Sequence, residues 1–163
     1  MAILEHTEAI NLALEQGPDA WHAWRAEHPD AKVDQSSVNR SKQNLQGCNF
    51  DGVDFSEADF SEAKLSGCSF RGANLDGANL NSQQLIGLDF TGASMISANL
   101  DHANLHGAIL RNVNLREANL SYTNLQGAEL TEARLRCQPL SPAVWSRSTT
   151  SWTRRKVRWD PVS

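Results

Sequence analysis

Residues 73–82, ANLDGANLNS, form two five-residue units that each begin with Ala, Asn and Leu. The pattern extends far beyond them, because every fifth residue from Leu45 to Leu140 is Leu, Phe or Met without a shift of frame. Helices repeat near 3.6 residues and strands near 2, so a period of five requires the chain to turn after each unit. A short fixed repeat indicates a solenoid, in which each unit buries its apolar residue by stacking on its neighbours.

Each unit offers one large and one small inward side chain. The small position lies two residues before the large one and is most often Ala, with Cys48, Val53 and Leu88 among the exceptions. We predict that the large residues form the structural core: Leu45, Phe50, Phe55, Phe60, Leu65, Phe70, Leu75, Leu80, Leu85, Phe90, Met95, Leu100, Leu105, Leu110, Leu115, Leu120, Leu125, Leu130 and Leu135.

A second period of twenty residues lies within the first. Glycines recur at this interval from Gly47 to Gly127, and Phe50, Phe70 and Phe90 share the interval. Four units therefore form one coil. At a coil-to-coil spacing of roughly 4.8 Å, about five coils make a rod about 24 Å long. The other three corner columns accept Glu, Ser, His or Tyr. Because Gly is favoured where a backbone needs positive φ or a close approach, we expect the glycine corner to have the strictest geometry.

Several units resemble those of the pentapeptide-repeat family, and the resemblance covers residues 43–140. Its clearest examples are AKLSG at 63–67, ANLDG at 73–77, ANLHG at 103–107 and AELTE at 128–132. The resemblance implies an all-β solenoid, namely a right-handed quadrilateral β-helix. It supplies the handedness, which the period alone does not give.

We predict three segments in the chain. They are an N-terminal helical cap at residues 1–32, the β-helix at 33–145 with a degenerate start at 33–42, and a basic C-terminal cap or tail at 146–163.

The first segment does not repeat, and its apolar spacing predicts two short helices that meet at Gly17 and Pro18. Trp21 and Trp24 lie one turn apart on the second helix. We expect these rings to cover the open end of the solenoid and protect its strand edges, and an aromatic binding patch is the alternative.

The start of the repeat departs from the pattern, because Gln35 and Arg40 occupy positions where Leu belongs. An unpaired Arg inside the rod would be costly. Either this stretch is a linker outside the coil, or its side chains turn outward beneath the helical cap. The sequence leaves both alternatives open.

The net charge of −4 is distributed unevenly. Residues 1–40 carry seven acids and three bases, whereas residues 138–163 carry one acid and five bases. The basic residues of the tail are interleaved with Trp152 and Trp159, a pattern that suits nucleic acid or an anionic surface. A terminal cap or loosely held tail is the interpretation that we favour. The basic residues are Arg147, Arg154, Arg155, Lys156 and Arg158.

No motif points to catalysis. His102 and His106 have no ligand cluster beside them, and we expect a corner to separate them, so we predict no metal site. The glycines are spaced for corners and not for a phosphate loop. We therefore expect no enzyme, no cofactor and no small-molecule substrate. Cys48 and Cys68 would be stacked neighbours, and we favour two buried free thiols over a disulfide.

Five acids within twelve residues form the best candidate for a protein-binding surface, and no base lies among them. We expect them to form a belt around the rod rather than a stripe along it. The five residues are Asp51, Asp54, Glu57, Asp59 and Glu62.

The resemblance suggests one specific alternative function, because some pentapeptide-repeat proteins imitate B-DNA and protect DNA gyrase. Duplex DNA of about 24 Å would carry roughly fourteen negative charges. Residues 41–137 carry only eleven acids against seven bases. We therefore predict a non-catalytic scaffold or protein-binding module, with gyrase-directed DNA mimicry as the alternative and anionic-polymer binding through the tail as a third function.

We expect a cytoplasmic protein without a membrane span, since no segment approaches eighteen apolar residues and no export signal is evident. The odd number of cysteines suits a reducing compartment. The expected partner is a protein rather than nucleic acid, and the strand edges at a solenoid end would also allow a homodimer. The partner's identity, the biological process and the oligomeric state are not readable from the sequence.

Overall fold

The computed structural model describes residues 2–136 and 158–159. Its elements are helices α1 (Ala2–Gln16) and α2 (Pro18–Glu27) and strands β1 (Asn114–Arg116), β2 (Arg134–Arg136) and β3 (Arg158–Trp159). Between residues 33 and 136 most units contribute a single parallel bridge followed by a turn. A unit of five residues leaves room for very few extended residues before the next corner, so most sides of the solenoid are bridges rather than longer strands.

Each bridge in this region joins a residue to the one twenty positions later. The series begins with Asp34 opposite Asp54, and β1 and β2 continue it with Leu115 opposite Leu135. This is the interval that the glycine and phenylalanine columns predict. Four units therefore complete one turn, and the chain is a solenoid of parallel, stacked coils.

We number the four sides of the rod in chain order. In one coil, side 1 carries Phe55, side 2 Phe60, side 3 Leu65 and side 4 Phe70 on the inside. The corner between two sides is called an edge and takes the numbers of both, so the 2–3 edge follows side 2.

The interior of the rod is a continuous apolar core. Every large residue of the five-residue frame from Leu45 to Leu135 is buried, and none is more than 6% exposed. On side 4 the rings of Phe50 and Phe70 lie 5.4 Å apart, and those of Phe70 and Phe90 lie 5.3 Å apart and nearly parallel. Each fully buried Phe contributes about 1.5–3 kcal/mol of burial free energy, so the core supplies the main stabilisation.

Side chains that can donate a hydrogen bond also occupy the small inward position on sides 3 and 4. The side chains of Cys68, Gln83 and Thr123 each donate to the carbonyl oxygen 23 residues earlier, at 2.9, 2.8 and 2.8 Å. On both sides the coil below thus offers a carbonyl oxygen to such a donor. Because the hydrogen bond is always available there, a polar residue does not break the frame.

All four edges of the rod share one backbone geometry. The second residue of every corner from Ser37 to Glu132 has a φ of 55–75°, whether or not it is glycine. The N–H after the corner donates back across it, as Cys48 does to the Leu45 carbonyl at 3.1 Å. These features define a type II turn.

The expectation of a stricter glycine corner is therefore wrong, since positive φ is common to all four. A Cβ added at Gly67 would lie 3.7 Å from the Cα of Gly47, which is an ordinary contact distance.

Both alternatives for residues 33–42 are also wrong. Asp34 and Asn39 form bridges with the next coil, so the stretch is part of the solenoid and not a linker. Gln35 and Arg40 are only 1% and 4% exposed, so their side chains point inward rather than outward.

The buried Arg40 is accommodated by hydrogen bonds from both the coil and α1. Its guanidinium donates to the side-chain oxygens of Gln35 and Asn11, and to that of Gln43 at 3.5 Å. Burial lowers the pKa of Arg40, and the negative charge of Glu15 opposes that shift. Gln35 and Arg40 thus act as a pair, and a helix that the repeat frame does not describe supplies a further acceptor.

Helix α2 lies against side 4 of the solenoid, where no preceding coil exists. Trp21 is fully buried, and its ring lies 5.6 Å from Phe50 and stacks at 5.7 Å on Trp24. Ile10 and Leu14 of α1 belong to the same apolar cluster. The aromatic column of side 4 therefore continues from the repeats into the helix.

Side chains of α2 also satisfy the open backbone edge. Trp21 Nε1 donates to the Asn49 carbonyl at 2.7 Å, and the Asn49 N–H donates to His22 Nε2 at 3.2 Å. Arg25 donates to the Asp51 carbonyl at 3.3 Å. One coil later the equivalent groups of Ser69 and Arg71 are paired with backbone of the coil below. Three groups that a strand would satisfy are thus satisfied by side chains of a helix.

At the other end, β3 pairs in parallel with β2. Arg158 lies opposite Arg134 and Trp159 opposite Leu135, a separation of 24 residues rather than 20. The other predicted tail residues, including Arg147, Arg154, Arg155 and Lys156, lie outside the described part of the chain. Neither described helix is both long enough and apolar enough to cross a membrane.

Candidate functional site

The five acids of the predicted protein-binding surface lie on one coil. They occupy the 4–1 edge, side 1, the 1–2 edge, side 2 and the 2–3 edge in turn, so they cover two of the four sides of the rod. Glu57 and Glu62 are exposed, whereas Asp51, Asp54 and Asp59 are half-buried. The five carboxylates are therefore not equally open to a partner.

Asp51 bonds to the coil above it. Its Oδ1 accepts from Ser69 Oγ and from the Arg71 N–H, at 2.5 and 2.9 Å. Asp76 repeats this arrangement on the 1–2 edge with Ser94 and the next coil. An aspartate at the first position of a corner can thus link two coils through hydrogen bonds and so contribute to the fold.

Asp54 and Asp59 close local turns. Each accepts the N–H of the residue two positions later, Ser56 or Ser61, at 2.9 Å. Asp59 also accepts from Asn79 Nδ2 at 2.9 Å. The Ser61 N–H contributes most to holding the pKa of Asp59 below its usual value, so its carboxylate keeps its charge into mildly acidic solution.

An amide ladder runs along side 2. Asn79, Asn99 and Asn119 are linked from coil to coil, with Nδ2–Oδ1 distances of 3.5 and 3.4 Å. A second ladder on side 3, which sequence reasoning missed, joins Gln84, Asn104 and Asn124 at 3.0 Å. On each of these two sides, the outward amides therefore bond mainly to other amides of the same side.

The exposed glutamates are less constrained. The Glu57 carboxylate lies over Gly77, where an added Cβ would be 2.3 Å from its Oε1. Glu62 is 3.8 Å from Lys42 Nζ, and both side chains are more than 70% exposed. An ion pair this exposed contributes little to stability, so Glu62 can pair with another cation in place of Lys42 at little cost.

Charges along side 4 and the 4–1 edge alternate in sign. Arg71 lies 3.4 Å from Asp89, and Arg111 lies 2.6 Å from Glu129. Partial burial raises the pKa of Asp89, but hydrogen bonds from Thr91 and the charges of the two arginines outweigh it and hold that pKa below its usual value. This part of the rod does not present a continuous negative stripe.

The 2–3 edge carries an aromatic pair that sequence reasoning did not select. Tyr122 is 69% exposed and stacks on His102 with ring centroids 4.6 Å apart. His102 Nδ1 is 2.9 Å from Asp101 Oδ1. The available signal was the presence of two bulky residues in a corner column otherwise occupied by Lys42, Glu62 and Ser82.

The described residues offer no convergent chemistry. His102 and His106 lie at different edges, and no group of three or more His, Cys, Asp or Glu within residues 2–136 and 158–159 is suited to hold a metal. A shallow cleft of about 330 Å³ is lined by residues such as Ser94, Asn112 and Arg134 and contains no histidine or cysteine.

Cys48 and Cys68 are free and buried. Burial raises the pKa of Cys48 to about 11 and that of Cys68 to about 12, so neither thiol is a ready nucleophile.

Comparison with known proteins agrees with this architecture. The sequence profile described as Pentapeptide repeats matches residues 41–72, 73–112 and 98–136, more than half of the chain. The chain belongs to the pentapeptide-repeat family. No curated protein matches its sequence.

Solved structures of other pentapeptide-repeat proteins resemble the chain. HetL, involved in heterocyst differentiation regulation in Nostoc sp. strain PCC 7120, is 32% identical, with a TM-score of 0.47. The match covers 63% of this chain and 53% of HetL, so the chain spans about half of that relative's length.

Rfr23 from Cyanothece 51142 is 25% identical with a TM-score of 0.52, and the match covers 66% of this chain and 91% of Rfr23. A trypsin-treated variant of QnrB1, a plasmid-mediated fluoroquinolone resistance protein, is 20% identical with a TM-score of 0.50. That match covers 79% of this chain and 59% of QnrB1. At this identity the likeness to QnrB1 concerns the pentapeptide-repeat fold alone.

Proposed function

We propose that this pentapeptide-repeat protein is a non-catalytic scaffold or binding module whose partner is another protein. The interactions that the side chains make support this proposal. The inward residues fill an apolar core, and many outward residues bond from coil to coil. Catalysis needs an acid, base or nucleophile converging on a concave site, and the described residues form no such arrangement. A long, regular outer surface suits binding instead.

The finer details of the architecture are also proposals. We propose a right-handed β-helix of about five coils, with α1 and α2 as an N-terminal cap. The cap is supported by the buried Trp21 and by the bonds of α2 to Asn49 and Asp51. A closed end favours a monomeric rod there, because it leaves fewer strand edges for a second copy to pair with.

The proposed recognition surface contains Asp51, Asp54, Glu57, Asp59 and Glu62. Glu57 and Glu62 would make direct contacts because they are exposed and outside the ladders. The three aspartates would contribute through their charge while they hold the turns. Cytoplasmic localisation is the compartment proposed with this function.

Affinity capture from the native cell lysate tests the proposal. The bait is the full chain, compared with a Glu57→Gln, Glu62→Gln double variant of equal thermal stability. We expect one protein to be retained in near-stoichiometric amount by the wild type and in much smaller amount by the double variant. Equal retention by both would remove the acidic surface from the proposal, and no retained protein would remove the binding function.

Gyrase-directed DNA mimicry is the second candidate, and the acid excess of the repeat region favours it. Arg71 and Arg111 interrupt that excess on the 4–1 edge, and their pairing with Asp89 and Glu129 argues for the first candidate. The two candidates differ in a supercoiling assay. Relief of quinolone inhibition of gyrase by micromolar protein would establish mimicry, and no effect on supercoiling would exclude it.

A further inference from the structure

The 2–3 edge combines exposure, aromaticity and backbone strain at one place. Tyr122 is the single tyrosine of the chain and is exposed, and its only described ring contact is the stack on His102. Exposed tyrosines are enriched among the residues that dominate binding energy at protein interfaces. The position of Tyr122 at a projecting corner makes its ring accessible to a partner.

Both rings of this pair occupy a backbone conformation that disfavours them. Tyr122 and His102 have φ values of 55° and 57°. A residue with a bulky side chain is uncommon in this region, whereas glycine adopts it without strain. Their stacking offsets part of that strain, but Ser82 in the same column has neither ring. Lys42, Glu62 and Ser82 of this column share the same φ, so what distinguishes the pair is its aromatic surface.

The charges around this edge are those that attract a cation. Asp101 precedes His102. Its Oδ1 lies 2.9 Å from His102 Nδ1 and its Oδ2 accepts from Asn81 Nδ2 at 3.5 Å, so its carboxylate would act on a partner through its charge rather than by direct contact. On sides 2 and 3 and the edge between them, the described outward bases are Lys42 and Lys64. Both belong to coils at least about 14 Å away along the rod from Tyr122. The coil below the Tyr122 ring thus carries one acid on this edge, Asp101, beside His102, and no lysine or arginine lies near the ring on these sides.

A second acidic point lies on the same edge. Glu62 and Tyr122 share the column and are separated by three coils, which is about 14 Å at the coil spacing. An extended chain advances roughly 3.3–3.6 Å per residue, so four residues cover this distance. The weak, exposed pair between Glu62 and Lys42 does not prevent a partner from replacing it.

We propose that the 2–3 edge binds an extended segment of a partner protein that carries two arginines four residues apart. One guanidinium stacks on the Tyr122 ring, where Asp101 adds attraction, and the other pairs with Glu62. Arginine fits better than lysine because its planar group both stacks on an aromatic ring and pairs with a carboxylate in two-point fashion. This inference rests on the proposed protein-binding function and specifies its surface and the chemistry of its partner.

The test uses the peptide acetyl-Arg-Gly-Gly-Gly-Arg-amide as the probe. Its neutral control replaces both arginines with citrulline, and its spacing control is acetyl-Arg-Gly-Arg-amide. The ring signals of Tyr122 are followed by proton NMR at low ionic strength, where a single tyrosine makes the assignment unambiguous. We expect a saturable shift with the first peptide and at least fivefold weaker binding of both controls.

Variants separate a binding role from a structural one. Tyr122→Gly is expected to raise or preserve the melting temperature, and Glu62→Gln to leave it unchanged, while each weakens binding of a fluorescent form of the peptide at least fivefold. Ser82→Gly, in the same column, is the matched control and should bind as the wild type does.

Equal binding of the arginine and citrulline peptides, or undiminished binding by Tyr122→Gly, would overturn the inference. Peptide binding without any protein captured from lysate would instead count against the proposed function alone.

Discussion

The indole N–H of Trp21 donates to the backbone carbonyl of Asn49 at 2.7 Å, where the N–H of a preceding coil would otherwise donate. The same ring lies under Phe50 and continues the aromatic stack of side 4. One residue thus supplies both a missing core side chain and a missing strand donor. The side chains of α2 thus reach the open backbone edge of the first coil, although the helix does not match the backbone of that coil.

The two contributions of Trp21 can be separated by mutation. Trp21→Phe keeps an aromatic ring but leaves the Asn49 carbonyl without its donor, and should lower the free energy of unfolding by about 1–3 kcal/mol. Trp21→Ala also opens a cavity and should lower it by about 3–5 kcal/mol. Urea unfolding measures both, with Leu12→Ala on the exposed face of α1 as a control that changes little. Equal losses for Phe and Ala would show that the ring itself contributes nothing.

Gln35 and Arg40 should behave as one unit. Gln35→Leu alone removes an acceptor from a buried guanidinium and should lower the free energy of unfolding by about 1.5–3 kcal/mol. The double variant Gln35→Leu, Arg40→Leu restores the repeat frame and should be within about 1 kcal/mol of the wild type or more stable. Chemical unfolding of these two variants and of the single variant Arg40→Leu checks this. If the losses of the single variants simply add in the double variant, the two residues are not coupled.

The shared corner geometry predicts equal effects at glycines of different edges. Gly72 lies on the 4–1 edge. Gly87 lies on the 3–4 edge, where glycine recurs in every coil from Gly47 to Gly127. Neither glycine would bring an added Cβ within 4 Å of another atom. Replacement by Ala should lower stability by about 1 kcal/mol at each, because positive φ is the common cause. Thermal or urea unfolding decides the question. A several-fold larger loss at Gly87 would restore the stricter corner that the sequence suggested.

The carboxylates with lowered pKa predict how stability depends on pH. The folded-state pKa of Asp59 is below its unfolded value of about 3.9, so its contribution is present above that pH and is lost as pH falls through the folded value. Asp59→Asn keeps an acceptor for Ser61 and Asn79 and should flatten the fall in melting temperature as the pH drops below about 4.

The triple variant Asp34→Asn, Asp59→Asn, Asp89→Asn should flatten this fall further, since all three have lowered pKa values. A pH profile that the single and triple variants leave unchanged would show that these turns do not carry the acid sensitivity.

The sequence predicts the repeating part of the fold well because one side chain in five determines it. Leu45 to Leu135 could be assigned to the interior from spacing alone, and the bridges twenty residues apart follow from the glycine and phenylalanine columns. Arg40 could not be placed in this way, because its acceptors on Gln35 and Asn11 are brought together only when α1 folds onto the coil. The free-energy cost of burying a charged side chain also argued against the inward position of Arg40.

The candidate surfaces were predictable only in part. Counting charges found Glu57 and Glu62, but it could not separate them from Asp51, Asp54 and Asp59, whose carboxylates bond within the chain. Tyr122 was overlooked because the only sequence signal was a second bulky residue, His102, in the same corner column. Its significance depends on its stack with His102 and on its exposure, both of which require the folded chain.

Binding of a protein along the outer surface of the rod is the function proposed for this chain. It is tested most directly by sedimentation equilibrium of the chain mixed with the protein that it captures from lysate. We predict a complex of defined mass that forms with the wild type and with Ser82→Gly but not with the double variant Glu62→Gln, Tyr122→Gly. A mass equal to that of the free chain, or a complex that the double variant forms equally well, would contradict the claim.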